Sequence, residues 1–187
     1  MSIKIALAGA GGTGKGTLGV KLAKELNRVF IASHIFDTGK MLNMEDYMDK
    51  PDKYLAYQYA IMFGQIYQER ALQIAGVDYI AERSVYDYIP YFLEKGLEDM
   101  GYIQTILKWG ASAYDLIIFL EPEFTPPDKV ENSWKEREDK NRLKTSETIK
   151  EWLSIGYHGK VIYPSGNTEQ RLKYVLSELK KISCDEK

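Results

Sequence analysis

The stretch Gly9-Ala10-Gly11-Gly12-Thr13-Gly14-Lys15-Gly16-Thr17 decides how this chain is read. Before it runs Ile3-Lys4-Ile5-Ala6-Leu7-Ala8, an apolar segment with the character of a buried strand. After it, Leu18 to Leu26 has apolar residues at helical spacing, so a helix begins inside or just after the glycines. Backbone N–H groups can surround a row of anionic oxygens only where no Cβ intrudes and the chain can reach positive φ, and glycine permits both. The following helix adds its unpaired amides and the positive end of its dipole. Lys15 adds a mobile point charge. The spacing Gly9-x-x-x-x-Gly14-Lys15 is that of a phosphate-binding loop. Gly9, Gly11, Gly12, Thr13, Gly14, Lys15, Gly16 and Thr17 are therefore the candidate contacts to a nucleotide's phosphates.

Bulk properties narrow the rest. A chain of 187 residues fits one domain, 1–187. The net charge of −2 gives no global basic field, which argues against a nucleic-acid partner while leaving a local anion site open. Cys184 is the single cysteine, so an intrachain disulfide and a multi-cysteine metal site are excluded. His34 and His158 are the only histidines, too few for an ordinary zinc set. The longest apolar run, Leu116 to Leu120, cannot span a bilayer, and the chain starts directly into a strand. A cytoplasmic protein with no membrane partner is expected, with a homodimer left open.

Along the chain, strands are expected at Ile3–Ala8, Val29–Phe36 (with a break near Ser33 left open), Val77–Ala81, Asp115–Leu120 and Lys160–Tyr163. Helices are expected at Lys53–Ala75, Ser84–Leu93, Gly101–Ala113, Glu131–Leu153 and Thr168–Lys181. Alternation of this kind predicts an α/β three-layer sandwich, with a parallel sheet of about five strands covered on both faces. Ligands in such sheets bind beyond the carboxyl ends of the strands.

Polar clusters fall at those ends. Glu82-Arg83-Ser84 closes the third strand. A carboxylate there can hold Mg²⁺ and an arginine can neutralise phosphate oxygens, although an acid–base pair can equally be a surface ion pair. Asp87 and Tyr91, one turn apart, could line an acceptor pocket or simply pack. Asp37, near the end of the second strand, suits a general base or a helix N-cap. Gln58 and Gln65 lie among aromatic residues at helical spacing, a pattern that can sandwich and read a flat base. Most of those aromatics are expected to pack. The charged stretch Glu131 to Trp152 follows the strongest strand, and most of its charges fit a solvated helix.

Gly16 stands where the usual loop has Ser or Thr, and the Gly-Lys-Gly-Thr ending resembles the adenylate-kinase-like small-molecule kinases. Glu82-Arg83-Ser84-Val85-Tyr86-Asp87-Tyr88-Ile89-Pro90-Tyr91-Phe92 resembles the ERS region of deoxyribonucleoside kinases, and is similar to phage and NadR-type nucleotide kinases. His34 to Leu42 resembles the acceptor-binding turn of adenylate kinases, with Asn43 near where those enzymes place an arginine for the acceptor's phosphate. The resemblance covers Ile3 to about Leu179. It implies a P-loop nucleoside or nucleotide kinase using ATP and Mg²⁺. Thr17 would contact the α/β-phosphates and, with Glu82, is a candidate near the metal. Arg83 would meet phosphate or the acceptor's 5′ oxygen, and one glutamine on the long helix would read the base. A helical lid at about 124–150 would supply Arg137 or Arg142, and Tyr163 to Thr168 would pack on adenine unless Thr168 only caps the next helix. The acceptor is expected to be a small nucleoside or nucleoside monophosphate, with deoxy forms favoured. The alternatives are a nucleotide-dependent ATPase or switch, and a kinase for a nucleic-acid end or modified base.

Overall fold

The structure, a computed structural model, describes residues 3–43, 50–97, 99–123 and 141–184. Five parallel strands form one sheet in the order β2-β3-β1-β4-β5, namely Val29–Ile31, Tyr79–Ala81, Ile5–Ala8, Leu116–Phe119 and Lys160–Ile162. Its centre is buried on both faces. Ile5 and Leu7 join one apolar cluster, and Ala6 and Ala8 join the other. This is the pattern of a parallel strand covered by helices on each side.

The first face is closed by α1 (Lys15–Leu26) and, after β5, by α7 (Thr168–Cys184). The second face carries α2 (Ile35–Met41), α3 (Pro51–Ile74), α4 (Ile89–Glu94), α5 (Met100–Ala113) and α6 (Arg142–Gly156). Pro51 opens α3 at a first-turn position, where its missing N–H costs nothing. Asp99 caps α5 by accepting from the amides of Gly101 and Tyr102. Asn167, and not Thr168, caps α7: its Oδ1 accepts from the amides of Glu169 and Gln170, while Gln170 Oε1 accepts from the Asn167 amide.

Two expected elements are corrected. The second strand stops at Ile31 and does not run to Phe36. Its only neighbour, β3, ends at Ala81 opposite Ile31, and beyond that rung the Ser33 amide donates to the Glu82 carboxylate at 2.8 Å. The chain then turns into α2. The helix expected from Ser84 begins as a 3₁₀ turn, Val85–Tyr88, before α4. The expected start of the charged helix at Glu131 lies outside the described residues, and α6 continues past Leu153 to Gly156.

Strand order sets β1 between β3 and β4, so the tips that carry Gly9, Glu82 and Leu120 are neighbours. Beneath Glu82 lies a buried polar network. Glu69 of α3, with no exposed surface, accepts from Gln65 Nε2 at 2.7 Å, Trp109 Nε1 at 2.7 Å and the Tyr114 hydroxyl at 2.9 Å. Gln65 Nε2 also donates to the Arg83 carbonyl at 2.6 Å, and the Val85 amide donates to the Tyr114 oxygen at 3.1 Å. The backbone on both sides of Ser84 is thereby fixed from below.

Burial pushes the Glu69 carboxyl up to about 7, against hydrogen bonds from Gln65, Trp109 and Tyr114 that pull it down. The unfolded chain ionises this group near 4.5. Between those values the folded state holds the proton more firmly, so stability is lost as pH rises toward 7. Thermal unfolding at pH 5 and pH 8 is expected to show a larger drop in Tm for wild type than for Glu69→Gln, whose side chain cannot ionise.

Candidate active site

The loop after β1 leaves the sheet at Gly9, where φ is +132° and an added Cβ would overlap the Leu120 carbonyl oxygen. Only glycine fits both conditions. Helix α1 starts at Lys15, inside the glycine stretch. Lys15 is 5% exposed, and its Nζ donates to the Gly9 and Ala10 carbonyls, both at 2.6 Å. The Thr13 hydroxyl donates to the Ala10 carbonyl at 3.0 Å. Arg142 Nε, from the start of α6, donates to the Gly11 carbonyl at 2.8 Å. Arg171 Nη1, from α7, donates to the Thr13 carbonyl at 2.6 Å. Four loop carbonyls are thus occupied by donors from the loop, α1, α6 and α7. What such a loop offers a ligand is its amides and the positive end of α1, an anion-binding combination.

Glu82 meets this loop from β3. Its Oε2 accepts from Ser33, and its Oε1 lies 2.9 Å from where a Cβ on Gly16 would stand. The glycine in place of the common Ser or Thr is therefore the space that Glu82 fills. Thr17 follows on the exposed side of the helix. A carboxylate and a hydroxyl beside a phosphate cradle fit Mg²⁺, which keeps several waters and takes one or two protein oxygens together with phosphate oxygens.

Arg83 stacks its guanidinium carbon 6.0 Å above the Tyr91 ring. Its Nε and Nη1 are buried and find no hydrogen-bond partner among the described residues. Burial disfavours its charge, but the electron-rich surroundings of Tyr91, Asp87, Tyr88 and Glu82 more than offset this and hold its pKa above the ordinary value. Two such nitrogens are a place for an anionic oxygen. Asp87 has no exposed surface, accepts from the Ser84 hydroxyl at 2.8 Å, and lies 4.0 Å from Lys15 Nζ. Burial pushes its carboxyl up, while Lys15, Arg83, Ser84 and the Gly9 amide pull it back in part.

The structure thus brings Lys15, Glu82, Arg83, Asp87, Tyr91 and Arg142 together around one loop. Asp87 sits in the 3₁₀ turn, 4.0 Å from Lys15 Nζ, and Tyr91 in α4 with its ring beneath Arg83, and both act on Arg83. Gln58 and Gln65 are core residues. Gln58 Oε1 accepts from the Tyr102 hydroxyl at 3.2 Å, while both ends of the Gln65 amide are engaged, by Glu69, Arg83 and Tyr88. Asp37 is not an N-cap, a position held by His34. It is exposed in the first turn of α2 and lines a groove of about 440 Å³ along β2 with Ser33, His34, Tyr67 and Gln68. Arg137 lies outside the described residues.

Arg171 is the residue that sequence reasoning missed. It is 2% exposed, and its Nη2 lies 3.3 Å from the Glu123 carboxylate, which in turn accepts from the Gly166 amide at 2.8 Å. The loop after β5 is tied in this way to the phosphate loop. The signal was present, because an arginine one turn before Val175 on the apolar face of α7 needs a buried acceptor. Glu121 was likewise overlooked. It anchors α6 through the Ser146 hydroxyl at 3.2 Å and Lys150 Nζ at 2.9 Å.

A family model described as AAA domain matches residues 4–171. Among solved structures, deoxyadenosine kinase from M. mycoides with products dCMP and a flexible dCDP bound is similar at 15% identity and a TM-score of 0.65, over 96% of this chain and 100% of that one. NadR protein in complex with NR is similar at 18% identity and a TM-score of 0.66, over 96% of this chain and 51% of that one. Shikimate kinase from Aquifex aeolicus vf5 is similar at 16% identity and a TM-score of 0.56, over 97% and 98% of the two chains. No curated protein sequence matches. The likenesses show the P-loop kinase type of α/β fold.

A methyl group at position 16 would stand 2.9 Å from Glu82 Oε1, the movable end of a side chain, so the carboxylate must shift by a few tenths of an ångström. Against that, alanine is favoured over glycine in a helix by up to about 1 kcal/mol, and Gly16→Ala is expected to gain less than this in denaturant unfolding. In a Glu82→Ala background the gain should be larger, a coupling that a double-mutant cycle reads directly.

Proposed function

We propose, from the premise that this chain belongs to the AAA domain family matched over residues 4–171, that it is an ATP-dependent kinase acting on a small nucleoside or nucleoside monophosphate. The observation that carries this is the meeting of Glu82 from β3 and Arg142 from α6 on the loop that holds Lys15. A protein that only binds nucleotide needs the loop and its lysine. Phosphoryl transfer also needs a carboxylate beside the metal position and cations around the transferring group.

Lys15 and the loop amides hold the β- and γ-phosphates, and Thr17 meets the α/β-phosphates. Glu82 and Thr17 would hold Mg²⁺, which supplies charge neutralisation across the phosphate oxygens when bound. Arg142 already touches the loop and serves as the lid arginine over the γ-phosphoryl group, with Arg137 as a further candidate in the lid, about 124–150. Arg83 points its two unpartnered nitrogens at the acceptor or its phosphate. The Glu82-Arg83-Ser84 sequence favours a deoxynucleoside or deoxynucleotide acceptor. Asp37 acts as general base if the acceptor is a hydroxyl. No helix among the described residues is long and apolar enough to cross a membrane.

A screen for ADP release with ATP·Mg²⁺ and a panel of nucleosides and monophosphates tests this. One acceptor class should raise ADP release well above the rate without acceptor, and Lys15→Ala should lower that rate about 10²-fold or more. Acceptor-independent hydrolysis alone would contradict the kinase assignment. Asp37→Asn separates the two acceptor types. A hydroxyl nucleophile should lose nearly all turnover, whereas an already ionised phosphate should keep it.

A further inference from the structure

Among the described residues, Glu69 and Asp87 are the two carboxylates with no exposed surface, and Asp87 is the one beside the phosphate loop. Its Oδ1 is engaged by the Ser84 hydroxyl, and the Gly9 amide also faces the carboxylate. Its Oδ2 accepts no hydrogen bond among the described residues and stands 4.0 Å from Lys15 Nζ. That separation exceeds a direct hydrogen bond, yet in a buried site it is short enough for strong attraction between unlike charges. Arg83 is the second cation acting on this carboxylate.

Lys15 is meanwhile folded onto its own loop, donating to the Gly9 and Ala10 carbonyls. To meet the outer phosphates of a nucleotide, its ammonium must leave both carbonyls and move off from Asp87. Negative charge on Asp87 resists that movement. We propose that Asp87 is a positioning residue whose charge holds Lys15 against its own loop and so lowers the loop's affinity for nucleotide, keeping donor and product exchangeable. This inference rests on the nucleotide site proposed above.

Calorimetric titration of the full chain with ATP·Mg²⁺, and separately with ADP, tests it. Asp87→Asn removes the charge at nearly constant shape, and is expected to tighten both ligands about fivefold to tenfold, the scale of one unit charge acting across several ångströms. Should the amide not be accommodated, Asp87→Ser replaces the carboxylate by a hydroxyl and carries the same expectation. Ser84→Ala keeps the charge and is expected to give no such gain. In a Lys15→Met background most of the gain from Asp87→Asn should disappear, because the charge acts through the lysine. A purely structural Asp87 gives the opposite sign, weaker binding with a lower Tm. Wild-type binding with no gain in the folded Asp87 variant, or an equal gain without Lys15, overturns this inference alone. No nucleotide affinity in wild type overturns it together with the proposed function.

Discussion

Everything in this molecule depends on how the chain leaves β1. At Gly9 it turns at positive φ directly against the Leu120 carbonyl, a space that no side chain can share. That close approach joins the loop to the tip of β4 and aims α1 back along the sheet. A loop rich in glycine would be floppy by itself, since glycine has the most conformational freedom to lose. Here its carbonyls are held by Lys15, Thr13, Arg142 and Arg171. Order is supplied by charged donors reaching in from α1, α6 and α7, and the loop's own sequence needs no bulk.

Those donors also connect parts of the site that are far apart in sequence. Arg171 comes from the last helix, yet it binds Thr13 and meets Glu123, which holds Gly166 in the loop after β5. Arg142 opens the helix that follows the long excursion after β4, and touches Gly11. Any movement of α6 or of the loop after β5 is therefore felt at the phosphate cradle. From β3 the connection is different in kind. The Glu69–Gln65–Tyr114 network fixes the Arg83 carbonyl and the Val85 amide from below, so Glu82 and Arg83 are presented by a rigid turn.

The parts legible in the sequence are those set by local chemistry. The glycine spacing located the loop, and the apolar runs at Ile5 and Leu116 located the two central strands. The acid and base after Ala81 do stand at a strand end. What was not legible came from tertiary competition. Val29 to Phe36 reads as a strand with a break near Ser33 left open, and β3 is too short to pair with its second half. Gln65 looks like a ligand reader on a helix rich in tyrosine, yet the Tyr88 hydroxyl, the Arg83 carbonyl and Glu69 claim both ends of its amide. Asp87 and Tyr91 read as one helical turn apart; a 3₁₀ turn holds the first and α4 the second, and both act on Arg83. Arg171 could have been suspected from its place on an apolar helix face, but its acceptor, a carbonyl 158 positions earlier, could not.

The central claim is that the amides from Gly9 to Thr17, with Lys15, receive the phosphates of a nucleotide. Backbone hydrogen exchange measured with and without ATP·Mg²⁺ addresses it at the level of individual segments. The account predicts slowed exchange in the peptide covering Gly9–Thr17, with smaller effects at the start of α6 and in the loop after β5. Slowed exchange confined to another surface, such as the groove along β2, or no change anywhere at saturating nucleotide, would contradict it.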